Sequence, residues 1–362
     1  NGNASVFQPP VDASGPFGYL AEGAGTNLAI QSEDFTTGWT DANATPAANY
    51  AIAPDGTKTA WRLVDDGATG TGSVIVQQAI TVSSGVETTV SFHLAPDQLT
   101  WGYIQTTGYD AAGNDITYFD LASKAVGTVG SNHANATIKS LPDGWSRVSI
   151  SFASTTDVAG NVRAGVADAD NGNTVDLDGT SSILVWGAQV EAGAFPSSYI
   201  ATAAAAVTRN ADLLTAPAAG FNTFPMTLSA GVTPTQLVGG SDIFVALDNG
   251  VVTPRTQLRA ASGVPRLLVS PDGGGNTVLI DATSSMVAGT TTAIAGAVST
   301  TSSRLYVDGL PSGTEDTSAT LPTTLSTLRI GYRFDNGAQP YASIRNVKIF
   351  DERLTDAEVA DL

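Results

Sequence analysis

Apolar and polar residues alternate along this chain in short runs. Val90, Phe92 and Leu94 alternate in one segment, Val148, Ile150 and Phe152 in another, and Leu184, Trp186, Ala188 and Val190 in a third. A period of two sends one side of each run into a core, the pattern of half-buried β-strands. Turn clusters separate the runs: Pro54-Asp55-Gly56, the stretch from Asp110 to Gly113, and Pro142-Asp143-Gly144. Gly and Asn supply positive φ there, while Pro or Asp sets the first corner. Such short connections predict antiparallel pairing. Helical periodicity is missing until the C-terminal end, which argues against a fold alternating strands with helices.

The alternation stops at Ser198 to Thr202 and in the small-residue run that follows, then resumes beyond Asp212. From there Ile243 to Leu247, Leu267 to Val269, Thr277 to Ile280, Ile294 to Val298, Leu305 to Val307 and Ile344 to Phe350 read as strands, with Leu328, Ile330, Tyr332 and Phe334 expected on one strand face. Thr355-Asp356-Ala357-Glu358 is a capping-box pattern for a short terminal helix. The prediction is therefore an all-β protein of two tandem antiparallel β-sandwich (jelly-roll) domains with a short C-terminal helix. Its segments are an extended lead-in over 1–15, a first sandwich over 16–201, a linker over 202–213 and a second sandwich over 214–362. No repeat at about 20–50 residues is found, which disfavours a solenoid or propeller.

Composition narrows the function. The 362 residues suit two domains, and 42% hydrophobic against 14% charged residues can fill two cores. The net charge of −18 opposes polyphosphate binding, so neither nucleic acid nor an anionic membrane surface is an expected partner. An acidic, hydroxyl- and amide-rich surface suits neutral or cation-bridged ligands, and also simple solubility. The absence of cysteine removes disulfides, thiolate metal sites and cysteine nucleophiles. No apolar stretch is long enough for membrane insertion, and no signal-peptide pattern precedes Asn1, so any such peptide is expected to be absent or already removed.

An ordered series of phrases carries a resemblance. Glu22-Gly23-Ala24-Gly25-Thr26-Asn27-Leu28, Gln31 to Phe35 with Trp39, Leu141-Pro142-Asp143-Gly144-Trp145-Ser146-Arg147-Val148, Trp186 to Gly193, Ser197-Ser198-Tyr199-Ile200 and Val207 to Asp212 resemble fibre and spike proteins of tailed phages. They are also similar to the head-spike proteins of phage-like gene transfer agents. The resemblance spans roughly 16–212 and implies a carbohydrate-binding-module-like jelly roll on the surface of a virion or virion-like particle. The second half resembles concanavalin-like, laminin-G-like sandwiches through Leu305-Tyr306-Val307-Asp308-Gly309, Leu328-Arg329-Ile330-Gly331 and the ending Ile344 to Leu362. It departs from that family where Tyr341-Ala342-Ser343-Ile344 replaces aromatic-x-Gly-x-Ile at the entry to the last strand.

These folds also house glycosidases and lyases, so the residues must decide. A retaining glycosidase needs two carboxylates about 5–5.5 Å apart. The nearest approach, Asp176-x-Asp178, lies in a Gly- and Asn-rich turn. Of the two histidines, His93 and His133, neither sits in a nucleophile-elbow context; a lyase built on His93 stays open beside the reading of both as ordinary surface or strand residues. No catalytic residue is assigned. Asp168, Asp170, Asn171, Asn173, Asp176 and Asp178 crowd one loop with the hard oxygens calcium requires, although the EF-hand spacing is not met; the alternative is an ion-free Asx-rich turn.

Sugar recognition calls for an aromatic platform beside amides or carboxylates. Trp39, Trp61, Trp145 and Trp186 read as packing residues, whereas Trp101, Tyr103 and Gln105 alternate on one strand face and form the candidate carbohydrate site, with a second core face as the alternative. A weaker grouping in the second half is Tyr306, Arg329, Arg333, Asp335 and Asn336. Three functions are consistent with these residues. The first is a particle-surface adhesin that binds host capsular polysaccharide without cleaving it and assembles with other virion or spike subunits or as a homo-oligomer. The second is the non-catalytic part of a secreted polysaccharide hydrolase or lyase, and the third a purely structural spike.

Overall fold

A computed structural model describes residues 5–6, 18–110, 115–237 and 240–362. The chain divides into two compact units, Gly25–Arg209 and Asn210–Leu362, the latter joined by the N-terminal segment Asn1–Ala24. Both are antiparallel sandwiches. Most of the 1–15 lead-in and the turn at 111–114 lie outside the described residues.

In Gly25–Arg209, one six-stranded sheet runs in the order Ala125–Val126, Asp115–Asp120, Trp101–Thr107, Ala159–Ala167, Ile75–Thr81, Thr40–Ala42. The facing sheet runs Ala134–Ser140, Ser146–Ala153, Glu87–Pro96, Ser182–Ala192, Ala60–Val64, Ala47–Ala51. Period-two alternation turns Val76, Ile104, Val162 and Val166 of the first sheet toward Val90, Phe92, Leu94 and Ile150 of the second, and these form one core with Phe35, Trp39 and Trp61.

The strand Ser182–Ala192 corrects a sequence expectation. Its register breaks between Trp186 and Gln189, where Gly187 takes φ of 61°. A Cβ at Gly187 would sit 2.7 Å from His93 Nδ1, so both the backbone angle and the space demand glycine there. The bulge exchanges the faces: Ile183, Val185, Ala188 and Val190 enter the main core, while Leu184 and Trp186 join a separate cluster with Trp145 and Tyr199. The four residues expected on one face are therefore split between two.

Several of the phrases singled out between Glu22 and Asp212 serve as a clasp. Asn27 is fully buried; its amide donates to the Ala188 and Ile200 carbonyls at 2.9 and 2.8 Å, and its oxygen accepts from Ala29 and Val190, both at 3.0 Å. The Glu191 carboxylate accepts from the Ser197 amide and hydroxyl at 2.8 and 2.7 Å, and Gln189 accepts from the Ile200 amide at 2.7 Å. Such satisfied buried groups specify one arrangement of the chain. Residues in the expected linker belong to this clasp. Thr202 donates to the Ala29 carbonyl at 2.6 Å, and Val207–Arg209 pairs with Gly25–Asn27.

The second unit has a sheet ordered Ser5–Val6, Ala342–Phe350, Met226–Pro234, Thr292–Val298, Ser303–Val307, Leu310–Asp316, with Tyr19–Ala21 also on Ala342–Phe350. That pairing places residues 19–21 here, where the sequence put the start of the first sandwich at 16. The facing sheet is ordered Leu214–Pro217, Thr327–Ile330, Ser241–Asp248, Arg255–Ala261, Val264–Ser270, Val278–Asp281. Leu228, Val232, Leu247, Leu258, Leu267, Val269 and Ile344 fill the space between the two.

The strand expected to carry Leu328, Ile330, Tyr332 and Phe334 ends at Ile330. Gly331 turns it with φ of 79°, and a Cβ there would lie 2.3 Å from the Ala21 Cβ. At the entry to the last strand, Tyr341 makes the bend itself with φ of 44° before Ala342 opens that strand. The terminal helix, Asp356–Ala360, carries the full capping box between Thr355 and Glu358. No helix of the described residues is long and apolar enough to cross a membrane.

Candidate functional site

Trp101, Tyr103 and Gln105 do share one face of Trp101–Thr107, pointing away from the core that Ile104 enters. They are not an open platform. Tyr103 is fully buried and Gln105 is 6% exposed; only Trp101 stays half-buried. The cause lies on the neighbouring strand, where Gly165 stands opposite Tyr103. Lacking a side chain, it lets the phenol ring lie flat: a Cβ at Gly165 would sit 2.1 Å from Tyr103 Cζ. On the other side Tyr118 meets the ring with centroids 5.8 Å apart, and Ile75 and Ala167 complete a small outer cluster. Burial pushes the Tyr103 hydroxyl well above the usual phenol range, keeping it neutral. Trp101 is flanked by Gly127, where a Cβ would come within 2.8 Å of the indole.

Beside this cluster lies a polar row that sequence reasoning missed. Gln77, Arg163 and Gln105 face one another across three adjacent strands. Arg163 Nε donates to Gln77 Oε1 at 2.6 Å and Nη1 donates to Gln105 Oε1 at 3.0 Å. Both carboxamide oxygens are thus committed to the guanidinium, whose pKa burial lowers from its ordinary value while Tyr103 opposes the change. Neither glutamine NH2 donates within the described residues, so both remain donors for hydroxyl or carbonyl oxygens. The available signal was the alternation Val162, Ala164, Val166, which sets Arg163 on the opposite face.

The candidate calcium residues are not gathered. Asp170 accepts from the Thr128 amide and hydroxyl at 2.8 and 2.9 Å, and Asn171 donates to the same hydroxyl at 2.9 Å. Asp178 closes an Asx turn on the Thr180 amide and hydroxyl at 2.9 and 2.7 Å, which holds its carboxyl below the usual range. Asp176 pairs with Thr71 in a two-residue ladder, and the Asp168 carboxylate lies over Gly172. Asn173 makes no side-chain hydrogen bond among the described residues. Among the described residues no three carboxylate or imidazole groups converge to hold a metal. Asp170 and Asp178 thus engage separate partners, one on Thr128 and one within its own turn.

Both histidines are interior rather than surface residues. His93 lies edge-on to Trp186 and Tyr199, and burial together with Arg147 lowers its pKa to about 4. His133 bridges the Thr106 and Thr117 hydroxyls, both at 2.8 Å, and burial lowers it to about 4 as well. Four of the tryptophans, Trp39, Trp61, Trp145 and Trp186, are buried as expected. The weaker grouping of the second half separates: Tyr306 donates to Asp356 at 2.7 Å on one sheet, whereas Arg329 pairs with Asp248 at 2.9 Å on the other and Arg333 with Asp335 at 2.5 Å beyond it. A groove of about 410 Å³ lies on the second unit between Gly231, Ala293, Tyr306, Arg345 and Val359.

Comparison with known proteins bears on the second unit most directly. Residues 208–360 match the family model of the concanavalin A-like lectin/glucanases superfamily, in its laminin G-like form. No curated protein matches the chain. Among solved structures, domain 4 of AbnA, an extracellular arabinanase from Geobacillus stearothermophilus in complex with arabinotriose, is 17% identical with a TM-score of 0.31, over 38% of this chain and 65% of that one. The carbohydrate-binding module of the Ruminococcus gnavus sialidase, bound to α2,3-sialyllactose, is 13% identical with a TM-score of 0.33, over 38% of this chain and 80% of that one. A SAP-like pentraxin from Limulus polyphemus is 17% identical with a TM-score of 0.29, over 37% of this chain and 67% of that one.

Proposed function

We propose that this protein is a non-catalytic adhesin on the surface of a virion or phage-like gene transfer particle, binding capsular polysaccharide of the host. The observation that carries the sugar-binding part is the Gln77–Arg163–Gln105 row beside half-buried Trp101. It offers rigid donors to sugar hydroxyls and an aromatic edge to an apolar ring face. The lectin-related family of residues 208–360 supports the same class of ligand. The particle comes from the resemblance of residues 16–212 to spike proteins. A shallow site of this kind is weak singly, and many copies on one particle raise its avidity through effective concentration.

A second reading is the non-catalytic part of a secreted polysaccharide hydrolase or lyase, since the matched superfamily also contains glucanases. Two measurements test the proposal: binding of the purified protein to encapsulated and capsule-free host cells, and release of reducing ends or unsaturated products from the polymer. Capsule-dependent binding without product supports the adhesin; product release overturns it.

A further inference from the structure

The outward face of the second unit's sheet carries a different chemistry. Along Arg255–Ala261, Leu258 and Ala260 enter the core, which leaves Arg255, Gln257 and Arg259 side by side on the opposite face. The neighbouring strand places Arg266 directly across from Arg259. Arg333 is close enough that its charge, after burial, helps depress the pKa of both Arg255 and Arg259. In a chain of net charge −18, this concentration of guanidinium groups is local and specific.

The acids nearby do not neutralise it. Asp281 pairs with Arg266 and Asp335 with Arg333, whereas Arg255 and Arg259 have no ion pair among the described residues. Asp242, the remaining neighbour of Arg259, is pushed up to about 7 by burial, against the pull of Arg259. The Nε atoms of Arg255 and Arg259 are buried without a hydrogen-bond partner. Between them Gln257 has no exposed surface, and both its amide oxygen and nitrogen also lack a partner. A buried amide with neither half satisfied inside the protein is costly and calls for a further partner.

We infer that the Arg255–Gln257–Arg259 face binds an oxyanion carried on a saccharide, a uronate carboxylate or a sulfate ester. Arg259 donates one Nη2 hydrogen to the Ser241 hydroxyl and both Nε atoms are buried, so the remaining Nη hydrogens of Arg255 and Arg259 meet the anion, while Gln257, with no exposed surface, lies between them as a donor that a small side-chain shift brings to it. The anion also relieves the repulsion among Arg255, Arg259 and Arg266. This deepens the proposed function, on which it rests, by assigning acidic rather than neutral glycans to the second unit.

The test is titration calorimetry of the full chain with trigalacturonate, with its fully methyl-esterified form and with dextran sulfate. The free acid or the sulfated polymer binds, the ester does not, and affinity falls as salt rises. Binding by only one of the two anions identifies which oxyanion is taken. Arg255→Gln with Arg259→Gln weakens binding by about tenfold or more. Gln257→Met, which keeps the volume and removes both unpartnered atoms, lowers affinity while raising the melting temperature, a pairing that a purely structural role does not give. Equal binding of acid and ester, or unchanged binding in the double variant, overturns the inference. If encapsulated cells are still bound when these anions are not, the adhesin reading survives and this inference alone fails.

Discussion

Two outer sheet faces of this molecule use the same residues in opposite ways. In Gly25–Arg209 a single arginine, Arg163, is held between two glutamines, and both of its interactions are made. In the second unit a single glutamine, Gln257, is held between two arginines, and none of its interactions is made. The first arrangement is finished by the protein itself and offers only neutral NH2 groups outward. The second is left electrostatically open. The same alternating pattern thus gives a hydrogen-bonded polar row in one unit and an unsatisfied one in the other.

That contrast can be broken in several ways. The largest effect belongs to Gly165→Ala, because its new Cβ would collide with the Tyr103 ring, which the outer cluster has no room to move. Urea denaturation should show a loss of about 3 kcal/mol. Arg163→Ala comes next. It strands the buried Gln105 oxygen and should cost about 2 kcal/mol while reducing binding of neutral polysaccharide. The corresponding change in the other unit has the opposite sign, since Gln257→Met removes polar atoms that have nothing to bond. It should gain about 1 kcal/mol in the same denaturation experiment. A loss of stability in Gln257→Met would erase the distinction between the faces.

Acid sharpens the comparison further. Asp242 has a folded pKa raised to about 7 from 3.8, so the native state holds a proton that the unfolded chain has released. Its contribution is full below about pH 4 and is lost as pH rises through about 7. His93 and His133 have folded pKa values lowered to about 4 from 6.5, so their contribution is present above 6.5 and is lost as pH falls toward 4. Hydrogen exchange should therefore report weaker protection of Glu87–Pro96 on acidification between these limits. Protection of Ser241–Asp248 should strengthen by an amount that Asp242→Asn abolishes. The smallest expected effect is that of calcium. A bound ion at one hundred times its Kd would add about 2.7 kcal/mol, but with Asp170 held by Thr128 and Asp178 by its own turn, neither calcium nor a chelator should move the melting temperature.

Much of the architecture was legible because it is local. Alternation gave the strands around Phe92 and Ile150, apolar context gave the buried tryptophans, and Thr355 with Glu358 gave the helix cap. Failures arose where one glycine redirects the chain: Gly187 exchanges the faces of a strand, and Gly331 ends one early. The shared face of Trp101, Tyr103 and Gln105 was readable from spacing alone. Its closure was not, since it depends on Gly165 on another strand. Arg163 with Gln77, and Arg255 with Arg333, are brought together only by sheet pairing and by the turn after Gly331, which no spacing rule reveals.

The most direct test of the central claim is binding of the full chain to encapsulated cells and to capsule-free mutants of the same host, with polymer cleavage measured in parallel. The account predicts binding that disappears with the capsule, weakens in Arg163→Ala and leaves the polymer intact. Equal binding to both cell types, or cleavage of the polymer, would contradict it.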